Sequence, residues 1–278
     1  MKIDYDYSDA YFQQLVDEIA HSKQADGPQR ETLYTIYNCL DHTSLNSTDS
    51  ESSIRSFCRS TLEMRSDVLP GVAAVCVYPA YVAQVKKLLE GSGIRVAAVA
   101  GGFPVGQLPL QLKCHEVRYL IDSGADEVDL VINRGAFLQG SNQSLFDEVA
   151  AAKAICGEKK LKVILETGEL QTPARIYVAS MLALQAGADF IKTSTGKISI
   201  GATPLSACVM MTAMRDFLKN NASTIGFKAA GGVSTVDDAW FYYLMMKKIL
   251  NIEVVTNQNF RIGTSRLTPQ LFNFLTIR

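Results

Sequence analysis

Along its length the chain alternates eight short β-type runs with longer helical patterns, and this alternation limits the fold more than any single residue does. The runs fall at 35–40, 72–77, 96–100, 127–132, 161–165, 190–192, 224–228 and 260–263. Helical periodicity lies between them, at 81–89, 108–122, 144–155, 173–185, 204–220 and 236–249. Several runs are continuous in Val, Ile and Ala rather than alternating, as in a parallel sheet covered on both faces. Eight such units in 278 residues predict an α/β fold, a (β/α)8 TIM barrel with an extra N-terminal helix. That helix is expected over 8–20, with Ser8 as N-cap, and Gly27-Pro28 ends it. The competing architecture is a doubly wound open sheet. Against it, no GxGxxG follows the first strand, and candidate site residues are spread over many strands. No linker or low-complexity stretch divides the chain, so one domain is expected, with 1–33 as a helical extension and 34–278 as the barrel.

Composition removes several classes of function. A net charge of −1 provides no basic field for nucleic acid or an anionic membrane, so an anionic ligand must be caught by a local site. The six cysteines and three histidines show no metal-ligand or redox spacing; no metal and no cofactor are expected, and the thiols read as reduced and mostly buried. The acidic N-terminus lacks a signal-peptide core, and the longest apolar run, around 71–83, is interrupted by Pro79 and too short to span a bilayer. A soluble, cytoplasmic protein is expected; self-association is left open.

The chemistry is carried at strand ends. Asp189-Phe190-Ile191-Lys192 closes an apolar run on a lysine, and Thr-Ser-Thr-Gly-Lys follows, ending at Lys197. Gly226-Phe227-Lys228 repeats the arrangement before Gly231-Gly232. A lysine is ordinarily a solvated surface charge; here each stands where a barrel builds its site, at the C-terminal end of a strand. Asp41, Cys76, Asp129 and Glu166 occupy the corresponding ends of other strands. Two lysines and two or three carboxylates would partly neutralise one another. An internal echo supports the convergence. Gly124-Ala125-Asp126 and Gly187-Ala188-Asp189 each place a charged residue three positions on, Asp129 and Lys192, which predicts that both point into the same space.

Lysine attacks a carbonyl only as the neutral amine, scarce at pH 7 when the pKa is about 10.4. A second ammonium about 5 Å away, at an effective dielectric of about 20, contributes about 3 kcal/mol of repulsion, on the order of two pKa units. Lys228 on the neighbouring strand is placed to do this to Lys192, and Asp129 to move protons.

The segments LDHTSL (40–45), AAVCVYP (73–79), GADEVDLVIN (124–133), LKVILETGEL (161–170), DFIKTSTGK (189–197), GFKAAGG (226–232) and FRIGTS (260–265) together closely resemble the deoxyribose-phosphate aldolase family. The resemblance implies a metal-free class I aldolase, an aldehyde-lyase of deoxyribonucleotide breakdown. Such an enzyme would cleave 2-deoxy-D-ribose 5-phosphate reversibly to acetaldehyde and D-glyceraldehyde 3-phosphate. It further implies Lys192 as the Schiff-base lysine and Asp129 and Lys228 as proton-relay partners. Asp41, Thr43 and Thr195 would lie near the sugar, with Cys76 beside the site. The phosphate would rest on Gly196, Lys197, Gly231 and Gly232, near Ser234, Thr264 and Ser265. Glu166 receives no step. The chain departs from the family in having Ser234 where many members carry arginine, with Arg266 nearby as a substitute. Ala229 follows the relay lysine where proline is usual, and no tyrosine ends the chain.

Three alternatives stand beside this reading: a Schiff-base aldolase for another, non-phosphorylated aldehyde, a phosphosugar-binding barrel without lyase activity, and an imine-free isomerase. A pure binder has no use for two lysines that repel each other.

Overall fold

A computed structural model of the chain describes residues 3–25, 27–67, 69 and 71–276; Met1, Lys2, Ile277 and Arg278, at the ends discussed above, lie outside the described residues. Two helices, α1 (Asp9–Ala25) and α2 (Arg30–Asn38), precede β1 (Leu40–Thr43). The chain then runs α3 (Glu51–Glu63), β2 (Ala74–Val77), a 3-10 turn, α4 (Val82–Leu88), β3 (Arg95–Ala100), α5 (Leu110–Asp122) and β4 (Glu127–Val131). Next come α6 (Arg134–Leu138), α7 (Asn142–Cys156), β5 (Lys160–Ile164), α8 (Thr167–Leu170), α9 (Pro173–Gln185) and β6 (Phe190–Lys192). The last part is α10 (Pro204–Leu218), β7 (Gly226–Ala230), α11 (Val236–Leu250), β8 (Phe260–Thr264) and α12 (Leu267–Thr276). All eight strands are parallel to their neighbours and close in sequence order, β8 pairing with β1. The barrel expected from the alternation is therefore the fold.

The helices start where the sequence caps them. Thr172, Thr203 and Thr235 accept the N–H of the third helical residue of α9, α10 and α11, and proline occupies the first turn of α9 and α10. The Gly-Ala-Asp echo has a structural cause. Gly124 and Gly187 turn with φ of +95° and +96°, and the aspartates then accept the N–H of Val96 and Leu161 on the preceding strands. The same side-chain bond starts strand pairing in both units.

One expected strand is wrong. Residues 35–40 are mostly helix: α2 takes them up to Asn38, and β1 begins only at Leu40. Thr35, Ile36 and Tyr37 favour a strand on propensity, but Leu33, Ile36 and Tyr37 share one helical face and are buried. Arg30 of α2 donates to the Leu275 carbonyl of α12, so this helix closes the two chain ends over one another.

The barrel interior is divided. On the β2–β3 side it is apolar, with Ala74, Cys76, Ala97 and Val99 packed with Leu45. The β4–β8 side carries fully or almost fully buried Glu127, Asp129, Lys162, Lys192, Lys228 and Arg261. Small residues make room for these long side chains. A Cβ at Gly226 would meet the Phe190 ring at 2.1 Å, and one at Gly263 would lie 3.1 Å from Cε of Lys228. Gly226→Ala should therefore overpack the barrel and cost about 1–3 kcal/mol in urea unfolding; an unchanged midpoint would show that Phe190 can move aside without loss.

Candidate active site

The site starts from strand register. Asp129 pairs with Lys162 across β4–β5, and Lys162 with Phe190 across β5–β6, so Lys192 sits two positions beyond the residue aligned with Asp129. A barrel of shear 8 climbs about one residue per strand, which returns Asp129 and Lys192 to one level two strands apart. Lys192 and Lys228 are direct partners on β6 and β7. Both lysines donate to the same oxygen, Oδ2 of Asp129, each at 2.8 Å. The convergence expected from the echo is what the structure contains.

Asp129 is completely buried and its other oxygen accepts from Lys162 at 2.7 Å. Lys162 also lies 2.6 Å from Glu127, and Lys228 reaches Asp41 at 2.5 Å. Arg261 closes the cluster by bonding Asp41 at 2.6 Å and Glu127 at 2.7 Å. Four cationic side chains thus meet three carboxylates: Lys162, Lys192, Lys228 and Arg261 against Asp41, Glu127 and Asp129. A buried cluster with an unmatched charge is expensive. It becomes neutral if one lysine gives up its proton, and Lys192 has the weakest hold, with a single carboxylate oxygen that it shares. Arg95 also approaches Glu127, at 3.8 Å, but its side chain is partly exposed, so water screens its charge.

The proton affinities follow these contacts. Burial lowers the pKa of Lys192; Asp129 pulls it up, Lys228 pushes it down, and the net shift is downward. Burial acts on Lys228 in the same sense, but Asp129 and Asp41 outweigh it and hold this lysine protonated. Lys162 is likewise raised, burial being overcome by Asp129, Glu127 and Asp41. Burial opposes ionisation of Asp129, yet Lys162, Lys192 and Lys228 keep its pKa well below the usual carboxylate range. Repulsion by Lys228 was the cause expected for Lys192; desolvation is the larger one. Cys76 is buried and its thiol is pushed up to about 11, so it stays a neutral thiol.

Above the cluster a cavity of about 410 Å³ opens at the C-terminal end of the strands, and Lys192 lies at its base. Of the residues expected at the sugar and phosphate, Thr43, Thr195, Gly196, Lys197, Gly231, Gly232, Ser234, Thr264 and Ser265 line it. Asp41, Cys76, Asp129 and Lys228 do not; they lie below the cavity floor, fully buried. Arg266 lines the cavity together with Ser234. Lys197 donates to the Leu45 carbonyl on the loop after β1. Gly201 and Gly231 touch closely, a Cβ on Gly201 falling 2.2 Å from the Gly231 carbonyl oxygen, which locks the loops after β6 and β7 together. A larger depression of about 840 Å³ sits at the opposite end of the barrel around Lys86, Arg95 and Asp126, and neither Asp129 nor Asp41, the carboxylate partners of Lys192 and Lys228, lines it.

Sequence reading passed over Glu127, Lys162 and Arg261. A signal for the first was present: Glu127 stands two residues before Asp129, on the same face of a strand that is otherwise apolar. Asn46, also lining the cavity, carried no such signal.

The DeoC/LacD family of aldolases matches residues 35–242. The chain belongs to this family. The human protein named deoxyribose-phosphate aldolase is 42% identical over 255 residues, spanning 87% of this chain and 80% of the relative. The mouse protein of the same name is equally similar, at 42% over the same shares. Among solved structures, a deoxyribose phosphate aldolase from Aeropyrum pernix, described as a tetramer, superposes with a TM-score of 0.71 at 24% identity, covering 93% of this chain and 97% of that one, a likeness of fold. The aldolase reading drawn from the seven segments is thus the family the chain falls in. No helix among the described residues is long and apolar enough to cross a membrane.

Lys162 is the cation shared by Asp129 and Glu127, and for each it contributes the largest attraction favouring the ionised form. Both carboxylates have lowered pKa values in the fold, so the stability they contribute is present above about pH 4, their unfolded range, and is lost as pH falls through the folded values. Lys162→Met should cost about 3–5 kcal/mol at pH 7. It should also move the acid-unfolding limb to higher pH, because the folded pKa values rise. Urea titrations at several pH values measure both; an unmoved acid limb would mean that Lys162 does not set these ionisations.

Proposed function

We propose that this aldolase cleaves 2-deoxy-D-ribose 5-phosphate reversibly to acetaldehyde and D-glyceraldehyde 3-phosphate through a Schiff base on Lys192. The observation that carries the proposal is the shared Asp129 oxygen: a lysine with lowered pKa at the base of a cavity, beside a lysine held protonated. The names of the human and mouse relatives supply the substrate.

In this reading the neutral amine of Lys192 adds to the C1 aldehyde of the open-chain sugar, and loss of water, with one proton supplied from Lys228 through water, gives a protonated imine. Asp129, working with Lys228 and water, accepts the proton of the C3 hydroxyl. The C2–C3 bond then breaks. Its electron pair moves into the C1–C2 enamine and neutralises the iminium nitrogen, while C3 becomes the aldehyde of the released triose phosphate. The same acid returns a proton to C2, and water hydrolyses the imine to free acetaldehyde and restore Lys192.

Asp41 holds Lys228 and Arg261 below the cavity and acts through them. The phosphate is taken up at Gly196, Lys197, Gly231 and Gly232, with Ser234, Thr264 and Ser265 around it and Arg266 adding the charge that Ser234 lacks. Thr43 and Thr195 face the sugar, and Cys76 belongs to the small apolar packing beside Lys192.

Borohydride reduction in the presence of deoxyribose 5-phosphate should fix the adduct on the peptide carrying Lys192, and Lys192→Leu should abolish both adduct and turnover. No adduct on any lysine of active, folded protein would overturn the imine mechanism. Arg266→Ala should raise KM for the phosphorylated sugar about tenfold, the loss of one charge-assisted contact, while leaving unphosphorylated deoxyribose unaffected; equal effects on both sugars would remove Arg266 from the phosphate site.

A further inference from the structure

Glu166 is completely buried, stands directly after β5 and its following Leu165, and has no part in the steps above. Its backbone is left-handed, with φ 55° and ψ 64°, a conformation that non-glycine residues adopt only under constraint. That constraint is visible on either side. Leu165 donates to the Lys192 carbonyl and Thr167 to the Thr193 carbonyl, so the chain must kink at Glu166 to keep both bonds with the β6 strand and its continuation. The kink turns the carboxylate under the loop that borders the substrate cavity. There Oε1 accepts the N–H of Thr195 at 3.2 Å, and Oε2 accepts the Thr195 hydroxyl.

The consequence lies in the hydrogen-bond capacity of Thr195. A hydroxyl has one proton and two acceptor positions. The proton of Thr195 goes to Glu166, and one acceptor position takes the N–H of Lys197 at 3.1 Å. One acceptor position remains, on a residue that lines the cavity together with Lys192, Gly196 and Lys197. Thr195 therefore meets a ligand as an acceptor only. It suits a group that donates, such as a sugar hydroxyl, and it does not suit a phosphate oxygen. Because Thr195 stands between Lys192 and the Gly196–Lys197 turn, the matching donor is the non-reacting hydroxyl between the bond that breaks and the phosphate.

We propose that Glu166 is a positioning residue that fixes Thr195 as an acceptor and thereby makes the enzyme select acceptor aldehydes bearing a hydroxyl beside the carbonyl. This rests on the aldolase reading of the same cavity. Glutamine at this position keeps the size but reverses the polarity: its oxygen accepts the Thr195 N–H, its amide donates to the hydroxyl, and Thr195 is left to donate into the cavity.

The test measures kcat/KM for aldol addition of acetaldehyde to D-glyceraldehyde and to 3-hydroxypropanal, which lacks only the hydroxyl beside the carbonyl. Neither carries phosphate, so the ratio is independent of the phosphate contacts. The wild-type protein should favour glyceraldehyde. Glu166→Gln should cut that preference about tenfold, a change equal to one hydrogen bond gained or lost. Thr195→Val, of nearly the same volume, should cut it equally, and the double variant should show no further loss. Borohydride trapping with acetaldehyde alone is run on each preparation. Intact trapping with an unchanged ratio, or with both aldehydes slowed in parallel by Glu166→Gln, would overturn the positioning role and leave the aldolase reading standing. Failure of the wild-type protein to trap acetaldehyde would overturn the aldolase reading and this inference with it.

Discussion

Asp129 is the carboxylate on which the rest of the site depends. One of its oxygens serves Lys192 and Lys228, the other Lys162, and it has no contact with solvent. In so dry a place, charges that do not cancel are costly. The cluster of Asp129, Asp41 and Glu127 with three lysines and Arg261 carries one cation too many when all are ionised. The cost of that excess falls on the member least well held, Lys192. Folding itself thus lowers the proton affinity of Lys192, and the neighbouring carboxylates keep Lys162 and Lys228 charged. The lowered pKa of Lys192 is a property of the whole network more than of the Lys192–Lys228 pair.

Such a cluster needs space and a supporting scaffold. The barrel provides space by placing Gly226 and Gly263 where a side chain would crowd Phe190 and the Lys228 stem. The scaffold is an outer layer of ordinary apolar packing between strands and helices, begun by threonine caps and by Asp126 and Asp189 at the strand starts. Loops above the cluster are then free to bind. Those after β6 and β7 touch through glycines, and Glu166 ties the first of them to the end of β5.

Much of this was legible in the sequence because it rests on local patterns. Phe190–Lys192 and Pro173–Gln185 begin and end at the residues that periodicity and capping indicate. The Gly-Ala-Asp echo located Asp129 and Lys192 together because the same turn and the same side-chain bond recur in two units. What was missed depends on contacts far apart in the chain. Helix α2 carries strand-forming residues and is helical because its buried face packs inward while Arg30 ties it to α12. Lys162 and Arg261 look like isolated charges in apolar runs. Only closure of the barrel brings Arg261 to Asp41 and Glu127, and the excess charge that defines Lys192 cannot be counted until all seven groups are assembled.

The most direct measurement of that charge balance is an NMR pH titration of the buried lysine ammonium groups in the free enzyme, with Lys192 assigned by its loss in Lys192→Met. Lys192 should titrate below the ordinary lysine value of about 10.4, while Lys162 and Lys228 remain protonated through the same range. A Lys192 that titrates at or above that value, with a different lysine losing its proton first, would contradict the assignment of the network's neutral amine.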